Sequence, residues 1–400
     1  MIKGNKSVWI VCLIAMVNMM GYGIVFPILY AYSKKYGLTD FQNGLLFLLF
    51  AVFSICQFIS TPIIGRLSDK YGRKPMLVVS IMGTVVSFFV MAFAPNALFL
   101  FIARALDGLT AGNVPVIFAV ISDTTKPEER ATAFGHVGSA FSFGFIFGPA
   151  IAALTLGFGT AMPFIIAGFI TLIAVFVTAL YLPETNKHMK EVAQGKLFDF
   201  SKMWHMLFDP RVGVTFMISL VFFLAFSCAV LYGFQPFTMN ILKITESQNA
   251  MIFTLFGIVG LITQNLIVGR VNRAFGLQYS FRLGIIFTAI AFLIMFISRS
   301  LLLFIFASII LAIFNSIVQT LLPTILSQEA DAKSQGTIMG LNASYQSIGM
   351  IFGPILGGVV ATYMVPLPFL VGGILVALCF LLSFKVFPHT TGTETLTPKL

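Results

Sequence analysis

The chain has 400 residues, of which 58% are hydrophobic and only 10% are charged, and its mean hydropathy is +0.99. Soluble globular proteins carry about 25% charged residues, so this composition excludes a soluble protein. A helix needs about 20 apolar residues to cross a bilayer, and we predict an all-α membrane protein with twelve transmembrane helices. The predicted spans are residues 8–30, 44–64, 76–94, 97–122, 131–156, 161–182, 212–239, 248–268, 279–297, 300–324, 335–360 and 365–388.

The net charge of +10 is unevenly distributed along the chain. If the N-terminus is cytoplasmic, all but five of the 24 lysines and arginines lie in or beside cytoplasmic segments. The exceptions are Lys34, Lys35, Arg104, Lys243 and Arg299. This asymmetry is typical of the positive-inside rule. We therefore predict a multi-pass protein of the cell membrane with cytoplasmic termini, whose basic residues contact anionic lipid and do not bind nucleic acid.

The segment between the second and third spans, GRLSDKYGRKP at residues 65–75, is unusually polar. Gly65 and Gly72 allow tight turns and close backbone approach. Asp69 lies among basic residues, and a carboxylate near guanidinium groups forms charge-assisted hydrogen bonds. We interpret the segment as a conformational lock between two helical bundles, and a basic loop that only sets orientation is the alternative. The basic residues are Arg66, Lys70, Arg73 and Lys74.

The fourth span contains a charged pair, Arg104 and Asp107. A charge at bilayer depth is costly, and residues three apart on a helix face the same way and can pair. One interpretation is a neutralised structural ion pair. The other is a proton site, because burial favours the neutral carboxyl and a neighbouring arginine favours the charged one. The second half of the chain has Ile309 and Ala312 at the equivalent positions.

The fifth span carries His136 one turn after its start and also contains Gly144, Gly148 and Pro149. Glycines four apart share one helix face and let a neighbouring helix approach closely, and proline favours a kink. This pattern indicates either a flexible interface or ordinary tight packing. His136 is a candidate proton relay or an interfacial residue. Asp123 lies at the end of the fourth span, a position that suits a plain helix-terminal carboxylate.

Residues 132–149 and 337–354 share nine of eighteen identities at an offset of 205 residues, half the chain. The polar segment at residues 65–75 also has an echo in the second half, GRVNRAFG at residues 269–276. Six helices per repeat keep both copies in the same orientation, so we predict two parallel six-helix repeats. The predicted units are a first bundle at 1–182, a cytoplasmic linker at 183–211, a second bundle at 212–388 and a disordered tail at 389–400. The linker sequence from Lys196 to Leu207 suggests an interfacial helix.

Polar side chains within the spans are few, and together they suggest a mostly apolar cavity with isolated hydrogen-bonding points. Such a cavity suits hydrophobic or amphipathic small molecules. For any single residue, a hydrogen bond between two helices is the alternative. The candidates are Asn18, Tyr22, Asn113, Tyr232, Gln235, Gln264, Asn315, Gln319, Asn342 and Gln346.

Several of these stretches resemble one family of transporters. Residues 65–75 resemble the loop 2–3 signature of the major facilitator superfamily, and IARALDGLTAG at 102–112 resembles the fourth-helix signature of its drug/proton antiporters. GFIFGPAIAA at 144–153 resembles the fifth-helix antiporter signature. Residues 122–135 and 260–276 are most similar to the tetracycline-efflux branch. The resemblance covers nearly all of the chain except the linker and the tail.

The resemblance implies roles for single residues. It places Asp123 in the lock around Arg73 and puts Gln264 at an eighth-helix position that matches the tetracycline branch. That branch carries an acidic residue in the first helix, where this chain has Asn18. Asn18 cannot titrate, so proton coupling would rest on fewer groups.

The chain contains no nucleotide-binding loop and no motif of a zinc site or a hydrolase, and we expect neither an enzyme nor a cofactor or metal. The resemblance implies a monomeric, proton-coupled exporter of hydrophobic drug-like compounds that works by alternating access. The alternative within the same fold is a porter for a physiological metabolite or lipid.

Overall fold

The computed structural model describes residues 5–36, 48–186, 200–329 and 335–386. Helices fill almost all of these residues, and no β-strand occurs among them. Eleven helical segments in this part of the chain are long and apolar enough to cross a membrane. One of them, Glu246–Ile297, has 52 residues and is divided at Gly276, whose φ of 77° is not helical. It therefore supplies two crossings, and the predicted twelve-helix architecture is confirmed.

The first half of the chain forms helices α1 to α6. Helix α4 is interrupted, whereas the sequence predicted one continuous span over 97–122. The helices are α1 (Lys6–Tyr36), α2 (Leu48–Tyr71), α3 (Arg73–Ala92), α4 (Ala97–Thr110 and Val114–Thr124), α5 (Pro127–Thr155) and α6 (Met162–Tyr181).

The second half forms helices α7 to α12. Helix α7 (Gly213–Asn240) contains a π-helical stretch, Ser227–Gly233. Helices α8 and α9 lie before and after Gly276 within Glu246–Ile297, and a second π-helical stretch, Thr263–Ile267, lies in α8. The remaining helices are α10 (Leu301–Glu329), α11 (Gln335–Ala361) and α12 (Leu367–Val386).

The two halves turn at equivalent places. Gly72 separates α2 from α3 with a φ of 103°, and Gly276 separates α8 from α9 with a φ of 77°. Side chains strongly disfavour such positive φ values, which glycine adopts freely. The polar segment and its echo thus fold into the same glycine turn in both halves, as parallel repeats require.

The repeated glycines bring two helix pairs into close contact. A Cβ atom on Gly148 of α5 would lie 2.6 Å from the carbonyl oxygen of Met20 on α1, and one on Gly353 of α11 would lie 2.8 Å from that of Leu224 on α7. No side chain fits in such a space, so glycine is required for the packing. The glycines one turn earlier, which also touch the neighbouring backbone, are Gly144 and Gly349.

The hydrophobic cores of the halves are joined at one end of the molecule and separate at the other. We call the end at which α2 meets α3 the basic end. Toward the opposite end, one continuous apolar cluster includes Tyr32 of α1 and Phe237 of α7. At the basic end, a cluster around Ile117 belongs to the first half, and a cluster around Phe216 belongs mainly to the second. The halves are therefore fused away from the basic end.

Part of the linker is described. The helix Phe200–Leu207 lies within the stretch for which the sequence predicted an interfacial helix. Met203 is buried on it and accepts a hydrogen bond at its carbonyl oxygen from the Tyr345 hydroxyl (2.6 Å), while Trp204 is 64% exposed. Linker residues 187–199 and the predicted tail at 389–400 lie outside the described residues.

Candidate functional site

A cavity of about 480 Å³ lies between the two halves. Both halves contribute walls, because α1 to α5 face α7, α8, α10 and α11 across it. Most of the wall is apolar and rich in phenylalanine. Among the predicted candidates, the cavity brings together Asn18, Tyr22, Asp107, Gln264, Asn315, Gln319 and Gln346.

The cavity is accessible from the basic end. Gln264 of α8 and Gln319 of α10, which line it toward that end, are exposed. The lining residues at the other end, Tyr22, Leu231 and Phe256, are buried in the cluster that joins the halves. The cavity is thus open at the basic end and closed at the opposite end.

Four other candidates lie outside the cavity wall. Asn113 is fully buried behind it and accepts a hydrogen bond from the Asn18 amide (2.7 Å). Asn342 accepts a hydrogen bond from the Ser219 hydroxyl (2.6 Å), as a contact between α11 and α7. The buried Tyr232 and Gln235 do not line the cavity either, and Tyr232 packs beside glycines of α11.

Arg104 and Asp107 form a buried ion pair. The Arg104 Nη1 atom donates to the Asp107 Oδ2 atom at 2.7 Å, with side-chain exposures of 0% and 5%. The guanidinium also lies 4.2 Å from the centre of the Phe53 ring, a cation–π contact. Its Nε and Nη2 atoms are buried and have no hydrogen-bond partner in the described chain. Asp107 lines the cavity, whereas Arg104 does not.

The interruption of α4 lies one turn beyond Asp107, at residues 111–113. Breaking a helix frees backbone carbonyl groups, which must find other donors at membrane depth. Three side chains from α2 and α3 supply them: the Ser60 hydroxyl donates to the Gly108 oxygen (2.9 Å), the Gln57 amide to the Ala111 oxygen (3.3 Å), and the Ser80 hydroxyl to the Thr110 oxygen. The neighbouring helices therefore stabilise the interruption of α4 beside the cavity.

The predicted lock forms a charge cluster on the first half alone. The Arg73 Nη1 atom contacts the Asp69 Oδ1 atom at 2.5 Å, and its Nε atom contacts the Asp123 Oδ2 atom at 3.4 Å. No residue of the second half takes part in these pairs, which is consistent with the open basic end. Gly65 lies within α2, and no atom lies within 4 Å of its Cβ position, so the expected tight turn falls on Gly72. Lys74 contributes its backbone N–H group.

The segment after α6 completes this cluster, which the sequence did not predict. The Glu184 carboxylate accepts hydrogen bonds from the backbone N–H groups of Arg73 (2.9 Å) and Lys74 (3.1 Å) at the start of α3. The Asn186 amide donates to the Asp69 carbonyl oxygen (2.8 Å) at the end of α2. One short segment thus caps the C-terminus of one helix and the N-terminus of the next.

His136 does not line the cavity. Its ring stacks on Trp9 of α1 with 5.6 Å between the ring centres. The glycines of the α5 motif contribute to the cavity indirectly. Gly144 and Gly148 let α1, which carries Asn18, pack closely against α5.

Several cavity residues were missed by the sequence interpretation. They are short or common polar side chains within apolar helices, and the only available signal was their polarity at mid-span. The missed polar residues are Gln57, Thr84, Ser142, Ser316 and Thr320.

Comparison with known proteins agrees with this architecture. The family model described as "Major Facilitator Superfamily" matches residues 11–234 and 217–399. The chain is 29% identical over 381 residues to Multidrug resistance protein 2 of Bacillus subtilis (strain 168), covering 93% of each chain. It is 28% identical over 392 residues to the class H tetracycline resistance protein of Pasteurella multocida, covering 95% of this chain and 96% of that protein.

A solved structure shows the same fold. The human organic anion transporter MFSD10 (TETRAN) superposes with a TM-score of 0.75 and 20% identity, covering 96% of this chain and all of that one. Twelve crossings in two parallel repeats, a cavity between the repeats and the match of the family model over both halves lead to one assignment. The chain belongs to the major facilitator superfamily and is a membrane transporter similar to its drug-efflux members.

Proposed function

We propose that the protein exports hydrophobic drug-like compounds in exchange for protons. The observation that carries this proposal is a largely apolar cavity between the two halves in which Asp107, which is ion-paired, is the one acidic residue among the described residues of the wall. Aromatic walls bury apolar compounds and a few amide groups orient them. The multidrug and tetracycline resistance proteins that the chain resembles support the same substrate class.

The open basic end supports a direction of transport. If the basic end is cytoplasmic, as the positive-inside rule indicates, the structure is an inward-facing state that receives compounds from the cytoplasm or the inner leaflet. Rocking of the halves about the cavity would then expose the cavity to the other side. In that second state, we expect the Asp69–Arg73–Asp123 cluster to meet the second half and act as the lock.

Asp107 and Arg104 are the proposed coupling pair. A proton that binds Asp107 removes the negative charge that neutralises Arg104 and leaves the guanidinium buried with fewer favourable contacts. A state of the cavity that rehydrates the carboxylate would favour proton release. Opening and closing of the cavity would therefore load and unload one proton per cycle.

Efflux of a panel of hydrophobic compounds from whole cells, with and without a protonophore, tests the proposal. We expect cells that produce the protein to hold less compound, and the protonophore to abolish the difference. Efflux that survives the protonophore would contradict proton coupling. Failure to export any hydrophobic compound would favour a porter for a physiological metabolite or lipid.

A further inference from the structure

A chain of hydrogen bonds leads from the break in α4 to the cavity wall. The Ser80 hydroxyl donates to the Thr110 carbonyl oxygen. The Asn113 Nδ2 atom donates to the Ser80 Oγ atom at 2.6 Å, and the Asn18 Nδ2 atom donates to the Asn113 Oδ1 atom at 2.7 Å. Ser80 is 2% exposed and Asn113 is fully buried, so water does not compete for these bonds.

The Thr110 carbonyl oxygen, at one end of this series of hydrogen bonds, determines which atom donates in each of them. A carbonyl oxygen can only accept, so the single hydroxyl proton of Ser80 is committed to Thr110. The Ser80 oxygen must then accept from the amide nitrogen of Asn113, which leaves the Asn113 oxygen to accept from Asn18. Asn18 is thereby oriented with its nitrogen inward, and its remaining group is a carbonyl oxygen.

That oxygen has no partner. The Asn18 Oδ1 atom is buried, and no donor from the described part of the chain reaches it. Asn18 nevertheless lines the cavity together with Asp107. A buried acceptor without a donor costs free energy, so such an atom calls for an explanation. A group that enters the cavity is the available source of a donor.

We propose that the Asn18 Oδ1 atom recognises a hydrogen-bond donor on the substrate. The substrates it selects are lipophilic compounds whose ring system carries a free N–H or O–H group, and it disfavours their alkylated counterparts. A site built to bond a donor rejects the analogue that lacks one, because its own polar group is then left unpaired. This inference rests on the proposed function, in which the cavity is the substrate site.

Binding of two matched dyes to the detergent-purified full chain tests the inference. Rhodamine 123 has free amino groups, and tetramethylrhodamine methyl ester is the same lipophilic cation with those groups methylated. We expect the wild-type protein to bind rhodamine 123 about tenfold more tightly than the methylated dye. Asn18→Leu, which keeps the volume and removes the amide, should weaken rhodamine 123 binding about tenfold and leave the methylated dye within about twofold.

Two variants separate recognition from structural damage. Asn18→Gln keeps both an amide nitrogen that can donate to Asn113 and an acceptor oxygen, so it should keep the preference for rhodamine 123 even if both affinities change. Asn265→Leu makes the same exchange on α8 at a residue that does not line the cavity, and it should leave the ratio of the two affinities unchanged.

Equal binding of both dyes by the wild type, or an equal loss of both in Asn18→Leu, would overturn the inference while leaving the export function intact. The same holds if Asn18→Gln loses the preference as Asn18→Leu does. Binding of neither dye by the wild type would contradict the proposed function, and the inference with it.

Discussion

The Glu184 carboxylate accepts a hydrogen bond from the backbone N–H group of Arg73, 111 residues earlier in the sequence, at 2.9 Å. The first N–H groups of a helix have no partner within the helix, and the N-terminal end of a helix attracts negative charge. Glu184 satisfies both demands at the start of α3. It thereby anchors the end of α6 to the charge cluster formed by Asp69, Arg73 and Asp123.

Replacement of Glu184 should weaken this anchor. We expect Glu184→Ala to cost about 1 kcal/mol of stability, as loss of a helix cap does, and to reduce efflux. Glu184→Gln retains one acceptor oxygen and should lose less. Thermal unfolding in detergent and whole-cell efflux measure the two effects. If the alanine variant matched the wild type in both, the cap would be dispensable.

Gly72 and Gly65 form a matched pair for the turn. Gly72 has a φ of 103°, and a Cβ atom there would lie 2.8 Å from the Glu184 carboxyl carbon. Gly72→Ala should therefore cost at least about 1–2 kcal/mol. Gly65→Ala, inside α2 with open space around it, should be neutral or stabilise the protein by about 0.5–1 kcal/mol. Unfolding midpoints of the two variants decide this, and equal midpoints would contradict the assigned turn.

The close contacts of α5 with α1 and of α11 with α7 predict symmetric defects. Gly148→Ala and Gly353→Ala should each cost about 1–3 kcal/mol, because the added methyl groups meet backbone atoms. Gly340→Ala, also on α11 but with no atom within 4 Å, serves as the control. Folded yield after size-exclusion chromatography is the measurement. Wild-type yields for the first two variants would show that the helices can separate without loss.

The predicted orientation places Lys126 in the cytoplasm and Pro95 outside, because Lys and Arg concentrate on the first side. Both residues are exposed in the structure. Single cysteines at these two positions, in a background with the four native cysteines replaced by alanine, should react with a membrane-impermeant maleimide from opposite sides. In intact cells we expect labelling of Pro95→Cys alone. Labelling of both variants would contradict the orientation.

The sequence predicted which segments form helices better than it predicted which face of each helix turns toward the cavity. Twelve apolar runs and the repeat around Gly148 and Gly353 were enough for the architecture, and the three-residue spacing of Arg104 and Asp107 was enough for their pairing. Helices in a membrane are apolar on every side, however, so hydropathy does not show which side faces a cavity. Tyr232 therefore lies outside the cavity that the sequence predicted it to line.

The break in α4 and the role of Glu184 depend on tertiary contacts. The sequence around Asn113 is apolar enough for one continuous span, and the interruption becomes tolerable only because Ser60, Gln57 and Ser80 of other helices satisfy the freed carbonyl groups. Glu184 likewise lies in a polar segment that offers many carboxylate and amide side chains. Only the folded chain shows which of them reaches α3.

The central claim, that Asp107 carries the coupled proton, is tested most directly by Asp107→Asn in proteoliposomes under an imposed pH gradient. We predict that this variant loses gradient-driven accumulation of a compound that the wild type exports and still allows its downhill exchange. A purely structural pair predicts loss of folded protein instead, since breaking a buried ion pair costs about 3–5 kcal/mol, with partial recovery when Arg104→Leu is added. Folded yield is therefore measured in parallel for the single and double variants. Gradient-driven accumulation by Asp107→Asn at the wild-type rate would contradict the account.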